Sequence, residues 1–418
     1  MVLDVVIVGG GAAGFFAAIQ IAQQNPNLQI VILERGKEVL NKVKISGGGR
    51  CNVTHAEFIP NELVKAYPRG RKELRGPFHS FCSGDTVAFF EERGVKLKIE
   101  EDGRMFPETD SSQTIIDCFT SEVDKLGIKV NTNCAVKNIT PKQGDTASWE
   151  LDTTQGILQS KTILIATGSN PKIWQQMETL GHSVISPVPS LFTFNIKDDR
   201  ISELMGVSSA AQVSLLDGKG RAIKLDDGKK AIANGPLLIT HWGMSGPAIL
   251  KLSAWGAREL HALNYQFKIQ VNWLPQLNAD EVLGLLKEIK SSEAKKTVFN
   301  TRPFELPKRL WFKILGAAGI QEQLNWAEVN KKQLQNLVGE LTSAVYNVNG
   351  KTTFKEEFVT AGGVDLKEID FKTYESKICK NLYFAGEVLN IDAITGGFNF
   401  QNAWTGAFMA AKAIAKQF

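Results

Sequence analysis

The chain has 418 residues, 43% of them hydrophobic and 22% charged, ordinary proportions for a globular protein of two or three domains, and its formal net charge is only +4. So small a charge, not gathered into one block, gives no footprint for nucleic acid or anionic lipid. Five cysteines, Cys51, Cys82, Cys118, Cys134 and Cys379, form no Cys-x-x-Cys pair and are odd in number, which excludes a disulfide framework and a structural zinc site and fits a reducing cytoplasm.

The opening MVLDVVIVGGGAAGFFAAIQIA lacks a positively charged start, carries Asp4 and is broken by clustered glycines. It reads as a buried strand and helix, not a secretory leader or a membrane segment. Val5 to Val8 is a short β-branched run, a helical stretch follows to about Gln24, Asn25-Pro26-Asn27 makes a turn, and Ile30 to Leu33 is a second apolar run. That is a βαβ unit with a parallel strand pair.

The basic run YPRGRKELRG, Tyr67 to Gly76, reads as a solvated helix start. Strands are expected at Val95 to Ile99, Lys129 to Asn131, Ala135 to Ile139, Trp149 to Asp152 and Thr162 to Ala166, with a helix over Ser112 to Leu126. The three central strands form a meander on the parallel sheet.

After Pro187-Val188-Pro189 short alternating segments, FTFNI, AQVSLL, RAIKL and YQFKIQVNW, predict an antiparallel barrel or sandwich. From Asn278 to about Val345 the pattern is helical and charged, with Asp280 as a cap and Asn325-Trp326 opening another turn. The text then returns to strands and glycines, ending in LYFAGEVLN and a long apolar helix from about Phe400 to Ala415, so the first domain is closed by the end of the chain.

Gly9-x-Gly11-x-x-Gly14 follows a strand, opens a helix, and is answered by Glu34 at the end of the next strand. Gly9 allows the tight turn, Gly11 lets backbone approach a pyrophosphate, Gly14 permits close helix packing, and Glu34 would accept hydrogen bonds from a ribose. A carboxylate there repels a ribose 2′-phosphate, so the nucleotide at this turn is FAD or NAD(H) rather than NADP(H).

ILIATGSNP, Ile163 to Pro171, and LYFAGEVLNIDAITGGFNFQNAWTGAFMAAKAIA, Leu382 to Ala415, look like the second and third FAD contacts of two-dinucleotide-binding-domain flavoproteins. More narrowly, SGGGRCNVTH, GRMFPETDSSQTI, ATGSNPKIW, PVPSLFTF, LLITHWGMSGPAIL, VTAGGVDLKEID and LYFAGEVLNIDAITGGFNFQ, in that order, resemble a bacterial family of NAD(P)/FAD-dependent oxidoreductases. That family includes aminoacetone oxidase and a 3-dehydro-bile-acid reductase, and the resemblance spans essentially the whole chain. It departs at His55, Asn390 and Ala393, where Asn, Asp and Gly are usual.

The resemblance implies an α/β fold in which a Rossmann-like FAD-binding domain, parallel sheet plus β-meander, is interrupted by a β-barrel domain with a helical subdomain. The expected boundaries are 1–190, 191–277 and 278–345, with 346–418 completing the insertion and the first domain. It implies FAD contacts at Ala12, Ala13, Arg35 and Val136 beside the glycine turn, and at Ala166, Thr167 and Gly168. The stretch Ser46, Gly47, Gly48, Gly49, Arg50, Cys51 and Asn52 would run along the flavin face, with Lys42 and Arg50 suited to phosphate or flavin-edge charge. Gly386 and Glu387 would meet the ribityl chain, and Gly397, Phe398, Asn399 and Phe400 would aim a helix N-terminus at the flavin pyrimidine.

Catalytic candidates are three: His241 as a proton shuttle, Arg104 of GRMFP as an anion holder, and Arg50. Cys51 packs rather than reacts, because no second cysteine is near. Gly350-Lys351-Thr352 lacks the upstream glycine of a phosphate loop and reads as an Asn-Gly hairpin turn.

The function expected is hydride exchange between flavin N5 and a small organic substrate, with NAD(P)H docking transiently or oxygen as second substrate. No partner nucleic acid, membrane or metal is expected. The alternative is a non-catalytic redox-sensing flavoprotein whose inserted domain binds a partner, and an RNA-modifying flavoenzyme draws little support from the charge.

Overall fold

In the computed structural model residues 2–142, 148–225, 228–353 and 359–418 are described. Two compact units emerge, Met1–Val188 with Lys355–Phe418, and Pro189–Phe354.

The first unit is built on β1 (Val2–Val8), α1 (Ala12–Gln24) and β2 (Ile30–Leu33). Strands β1 and β2 are parallel, with Val5 opposite Ile30 and Ile7 opposite Ile32, and strand Gly156–Ile165 flanks β1 on its other side in the same direction. Leu382–Phe384 continues the sheet beyond Gly156–Ile165 and Lys129–Asn131 beyond β2, giving five parallel strands. Every residue of β2 is buried, as a parallel strand covered on both faces requires.

The meander is not the expected one. It comprises Val136–Pro141, Trp149–Thr153 and Gly156–Ile165, whereas Lys129–Asn131 pairs in parallel with β2. The cause is local: Asn133 takes a left-handed φ of 53°, and the Asn133 and Cys134 amides donate to Gly36 and Glu34 carbonyls, so the chain turns before the meander begins.

Behind the sheet, α1 lies against the last helix, Phe398–Gln417. Phe16 joins them through rings of Phe89 (4.5 Å) and Trp404 (5.5 Å), and Phe119 closes the cluster against Trp404 (5.6 Å). This aromatic core fixes the first turn of α1 relative to the end of the chain.

A separate three-stranded sheet, Thr54–His55, Arg104–Pro107 and Leu97–Ile99, brings the GRMFP motif beside the stretch after the three glycines. The basic run behaves differently from expectation in part. Arg71, Lys72 and Arg75 are exposed, but Arg69 is nearly buried and makes a bidentate ion pair with the fully buried Asp392. Sequence could not show this, since the partners are 323 positions apart.

In the second unit seven antiparallel strands run in the order Ala344–Asn349, Gln266–Asn272, Ser208–Leu216, Ile232–Ile239, Gly243–Ser245, Thr193–Asn195, Lys351–Thr352. The two edge strands are consecutive in sequence, separated only by Gly350, so the sheet curls into a barrel. Gly350, at φ 99°, donates to the Tyr265 carbonyl and accepts from the Asn195 amide. Asn349-Gly350 is therefore the barrel's closing corner and not the hairpin expected.

Phe267, Ile269 and Val271 point inward while their neighbours do not, the period of two that a barrel wall needs. Helices Ala279–Ser292, Lys308–Ala317 and Lys331–Thr342 fill the connection to Ala344. The cap of the first is Asn278, whose side chain accepts from the Asp280 and Glu281 amides while Glu281 reaches back; Asp280 is already in the first turn.

Candidate functional site

The three glycines of the first turn meet three different surroundings. Gly9 has φ +117°, and a Cβ on it would stand 2.4 Å from the Ala166 carbonyl oxygen. On Gly14 a Cβ would stand 2.0 Å from the Gly9 oxygen, so α1 can approach the strand only with glycine there. Around Gly11, the residue preceding α1, a Cβ would meet nothing within 4 Å. The first two glycines serve packing and the third leaves room, at a helix N-terminus whose amides await an anion.

Glu34 closes this turn. Its two carboxylate oxygens accept from the Gly10 amide (2.9 Å) and the Gly36 amide (2.7 Å). The side chain is thereby fixed at the strand end, with lone pairs left for a ribose. Arg35 is exposed beside it, Val136 is half-buried at the start of its strand, Ala12 is half-buried, and Ala13 faces Gly386, whose would-be Cβ lies 3.4 Å from the Ala13 methyl.

The stretch around Lys42 begins as a helix. The helix Asn41–Gly49 breaks at Ser46 (ψ 147°), and Gly47, Gly48 and Gly49 follow at φ 58°, 69° and 85°. Lone glycines disfavour a helix; here they let the chain turn back so that the Cys51 amide donates to Ser46. Gly47 packs on Phe106, while Gly48 and Gly49 face open space. Cys51 is fully buried, and burial pushes its thiol up to about 12, so it is inert as the packing reading requires. The hydrogen-bond network orients the Asn52 amide to accept from the Gly397 amide (2.9 Å) and donate to the Thr54 carbonyl (3.0 Å).

Lys42 and Glu387 were expected at a phosphate and at a ribityl chain. They meet each other: Nζ lies 2.5 Å from Oε2, and Glu387 Oε1 accepts from the Thr360 amide. Both stand over Gly168, whose would-be Cβ is 3.6 Å from Glu387 and 3.9 Å from Lys42. Ala166 ties this turn to β1 by donating to the Val8 carbonyl, and the Thr167 hydroxyl donates to the Gly168 carbonyl.

At the last helix, Gly397 is wedged against the Thr54 carbonyl, 2.5 Å from a would-be Cβ. The side chains that follow it hold the turn. Phe398 lies tilted against His55 (4.4 Å), Asn399 exchanges two hydrogen bonds with the Ala393 backbone, and Phe400 stacks on Trp404. Their backbone amides remain the free first turn of the helix. Three residues outside the expected set anchor this region: Tyr67, whose hydroxyl donates to the Phe398 carbonyl (2.6 Å), Arg69 and Asp392. Tyr67 and Arg69 lie in the basic run that looked solvated, and Asp392 in the glycine-rich motif before the last helix.

Arg50 and Arg104 are brought together. Both flank the Phe106 ring and both pair with Glu100, while Arg50 also meets Asp110 and Arg104 meets Asp102. The Glu100 hydrogen bond, foremost, holds the Arg50 guanidinium more firmly protonated than usual. His241 belongs to the second unit, exposed on the turn Thr240–Gly243 with its ring perpendicular to Trp242. Pro247 opens the helix that follows.

The residues present fit a dinucleotide. The unfilled space beside Gly11, Gly48 and Gly49, the fixed carboxylate of Glu34 and two helix N-termini belong to one unit. Among the described residues no helix is long and apolar enough to cross a membrane, and no group of three His, Cys, Asp or Glu could hold a metal ion.

Known proteins bear on this site. Ribosomal RNA dihydrouridine synthase of Haemophilus influenzae is 30% identical, covering 99% of this chain and 98% of its own. The 3-dehydro-bile acid delta(4,6)-reductase of Clostridium scindens is 27% identical, covering 98% of each. Among solved structures, the 3-ketosteroid-delta4-(5alpha)-dehydrogenase of Rhodococcus jostii RHA1 shares the fold at a TM-score of 0.51 with 11% identity, over 99% of this chain and 97% of its own. The family described as HI0933-like protein Rossmann domain matches residues 3–413, and the chain belongs to it.

Proposed function

We propose that this member of the HI0933-like family, an FAD-dependent oxidoreductase, reduces a carbon–carbon double bond conjugated to a carbonyl. The observation that carries the reading is the dinucleotide cradle of Gly9, Gly11, Gly14 and Glu34, facing open space at Gly11. FAD, when bound, supplies the hydride from N5.

Both relatives named above are called after products or substrates of one chemistry. A uracil ring and a 3-oxo-Δ4,6 steroid each present an alkene conjugated to a carbonyl. Hydride adds to the β-carbon, the displaced electron pair moves through the α-carbon onto the carbonyl oxygen, and a proton completes the α-carbon. NADH or NADPH is the reductant in this reading.

The chain's own residues bind and orient. Gly9 and Gly14 hold α1 against the sheet so that its first amides meet a pyrophosphate, and Glu34 selects a free ribose diol. The first amides of Phe398–Gln417 favour negative charge at the flavin pyrimidine. Lys42 and Glu387, joined above Gly168, hold the two segments that flank the middle of the cofactor.

The test is anaerobic. The yellow protein is mixed with NADH or NADPH, bleaching of the flavin band is followed, and a 3-oxo-Δ4 steroid or uridine-containing RNA is then added. Bleaching, recolouring on addition of one substrate and a saturated product are expected. A protein that takes up no FAD, or one that recolours only with oxygen, overturns the reading.

A further inference from the structure

The segment from Tyr67 to His79 has two opposed characters. Leu74 donates its amide to Gly70 and Phe78 donates to Leu74, so 70–78 is a run of helical turns. Gly70, Leu74, Pro77 and Phe78 occupy one side and are buried, the side chains of Leu74 and Phe78 at 0% and 1% exposure. Arg71, Arg75 and His79, at i, i+4 and i+8, occupy the other with Lys72, and all four are exposed. Glu73 falls outside this arc.

The arginines that flank this unit's other motifs and the barrel's Arg200 are paired: Arg50, Arg69, Arg93, Arg104 and Arg200 all have carboxylate partners. Among the described residues Arg71, Lys72 and Arg75 form no ion pair, and Arg75 spends one donor on the Asn61 side-chain carbonyl. Successive cations one helical turn apart stand about 5–6 Å from each other, a spacing suited to neighbouring phosphates along one strand.

The ridge is also tied to the cofactor side of its unit. Arg69 is bound to Asp392, Gly70 packs on Ile391, the Ile394 amide donates to Ala66, and the Tyr67 hydroxyl reaches the Phe398 carbonyl at the start of the last helix. The strap thus lies along 391–398, the segment leading into the helix N-terminus assigned to the flavin pyrimidine.

We propose that Arg71, Lys72 and Arg75 form a phosphodiester-binding ridge that holds the backbone of an RNA substrate beside the flavin. The inference rests on the reductase reading above and narrows its substrate to a pyrimidine in RNA. Base selection belongs to the flavin site; the ridge supplies sequence-independent affinity.

The test uses FAD-loaded full-length protein and a fluorescently labelled, short uridine-rich RNA, titrated over a range of salt. The variant R71Q/K72Q/R75Q is expected to flatten the plot of log affinity against log salt by about 2, three single-strand contacts at about 0.7 each. R71K/R75K, which keeps the charges, should retain the slope, and flavin content and thermal midpoint should match wild type in both. An unchanged slope in the glutamine variant overturns the ridge, as does binding of phosphatidylglycerol vesicles through these residues with no RNA binding. RNA held through the ridge but yielding no dihydrouridine with NADPH defeats the reductase reading and leaves the ridge standing; reduction of a free enone with an unchanged RNA slope does the reverse.

Discussion

Gly11 and Gly14 separate what a glycine does for a cofactor from what it does for the fold. A methyl on Gly14 would be driven into the Gly9 carbonyl at 2.0 Å, and the atom it meets is backbone that cannot swing away. Gly14→Ala should therefore lower the thermal midpoint and lose FAD together. Gly11→Ala meets nothing within 4 Å, so the midpoint should hold while FAD affinity falls at least tenfold, read by flavin retention on gel filtration. Equal loss of stability in both would remove Gly11 from the cofactor. The same logic applies to Gly48, whose φ of 69° would make a valine there a backbone strain of roughly 1–2 kcal/mol before any cofactor is considered. Asparagine, which tolerates that conformation, is the better probe. At this scale sequence showed the glycines and Glu34, because turn, spacing and strand end are local. It did not show that Lys42 finds Glu387 or Arg69 finds Asp392, pairs 345 and 323 positions apart. Those are consequences of the assembled fold.

Elements are held by clamps of this distant kind, and one of them titrates. His182, past the end of helix Pro171–Thr179, is buried; its Nδ1 donates to Glu368 (3.0 Å) and its Nε2 accepts from the Ser376 hydroxyl (3.0 Å). Ser376 in turn accepts from the Ile378 and Cys379 amides, so the hairpin Ile369–Ser376 is pinned through one neutral imidazole. Burial, outweighing the Glu368 hydrogen bond, holds His182 below its ordinary pKa. Glu368 is also lowered: burial would raise it, but hydrogen bonds from Ser183 and His182 prevail. Both shifts have one sign. The unfolded chain takes up protons first, so the stability they contribute is complete above about pH 6.5 and is lost as pH falls through the folded value of His182, then of Glu368. The thermal midpoint of wild type should drop more steeply from about pH 7 to about pH 5 than that of His182→Asn. Parallel curves would show that His182 titrates alike in the folded and the unfolded chain, and would remove the clamp as a source of pH dependence. Sequence did not locate the two-residue strands of this clamp, Ile369–Asp370 and Glu375–Ser376, which are too short to carry a period, and it misjudged which three strands form the meander, because Lys129–Asn131 is too short to reveal its partner and only β2 decides it.

The whole molecule is one domain interrupted by another, and the way the chain leaves and returns makes the interruption testable. Strands Val184–Ser190 and Val359–Val364 pair with each other, so the two ends of the first unit at the insertion emerge side by side. A Cβ on Gly362 would lie 2.6 Å from the Pro187 Cα, which shows how closely the paired backbones run. Each unit also has its own core: Phe16, Phe119 and Trp404 in the first, Phe194, Phe267 and Trp311 in the second, with no member shared. The composition shift after Pro189 made the second core legible, since alternating and continuous apolar runs have different periods; the barrel's closure at Gly350 was not, because one glycine between two short strands looks like any hairpin. Joining 1–188 to 359–418 through a short Gly-Ser linker should therefore give a protein that folds cooperatively and retains FAD, because every residue of the cradle lies in the first unit. Its flavin absorbance and single unfolding transition are the measurements. Should the joined protein be colourless while the isolated residues 189–353 fold, the insertion would be required for the cradle, and catalysis could no longer be assigned to residues of the first unit alone.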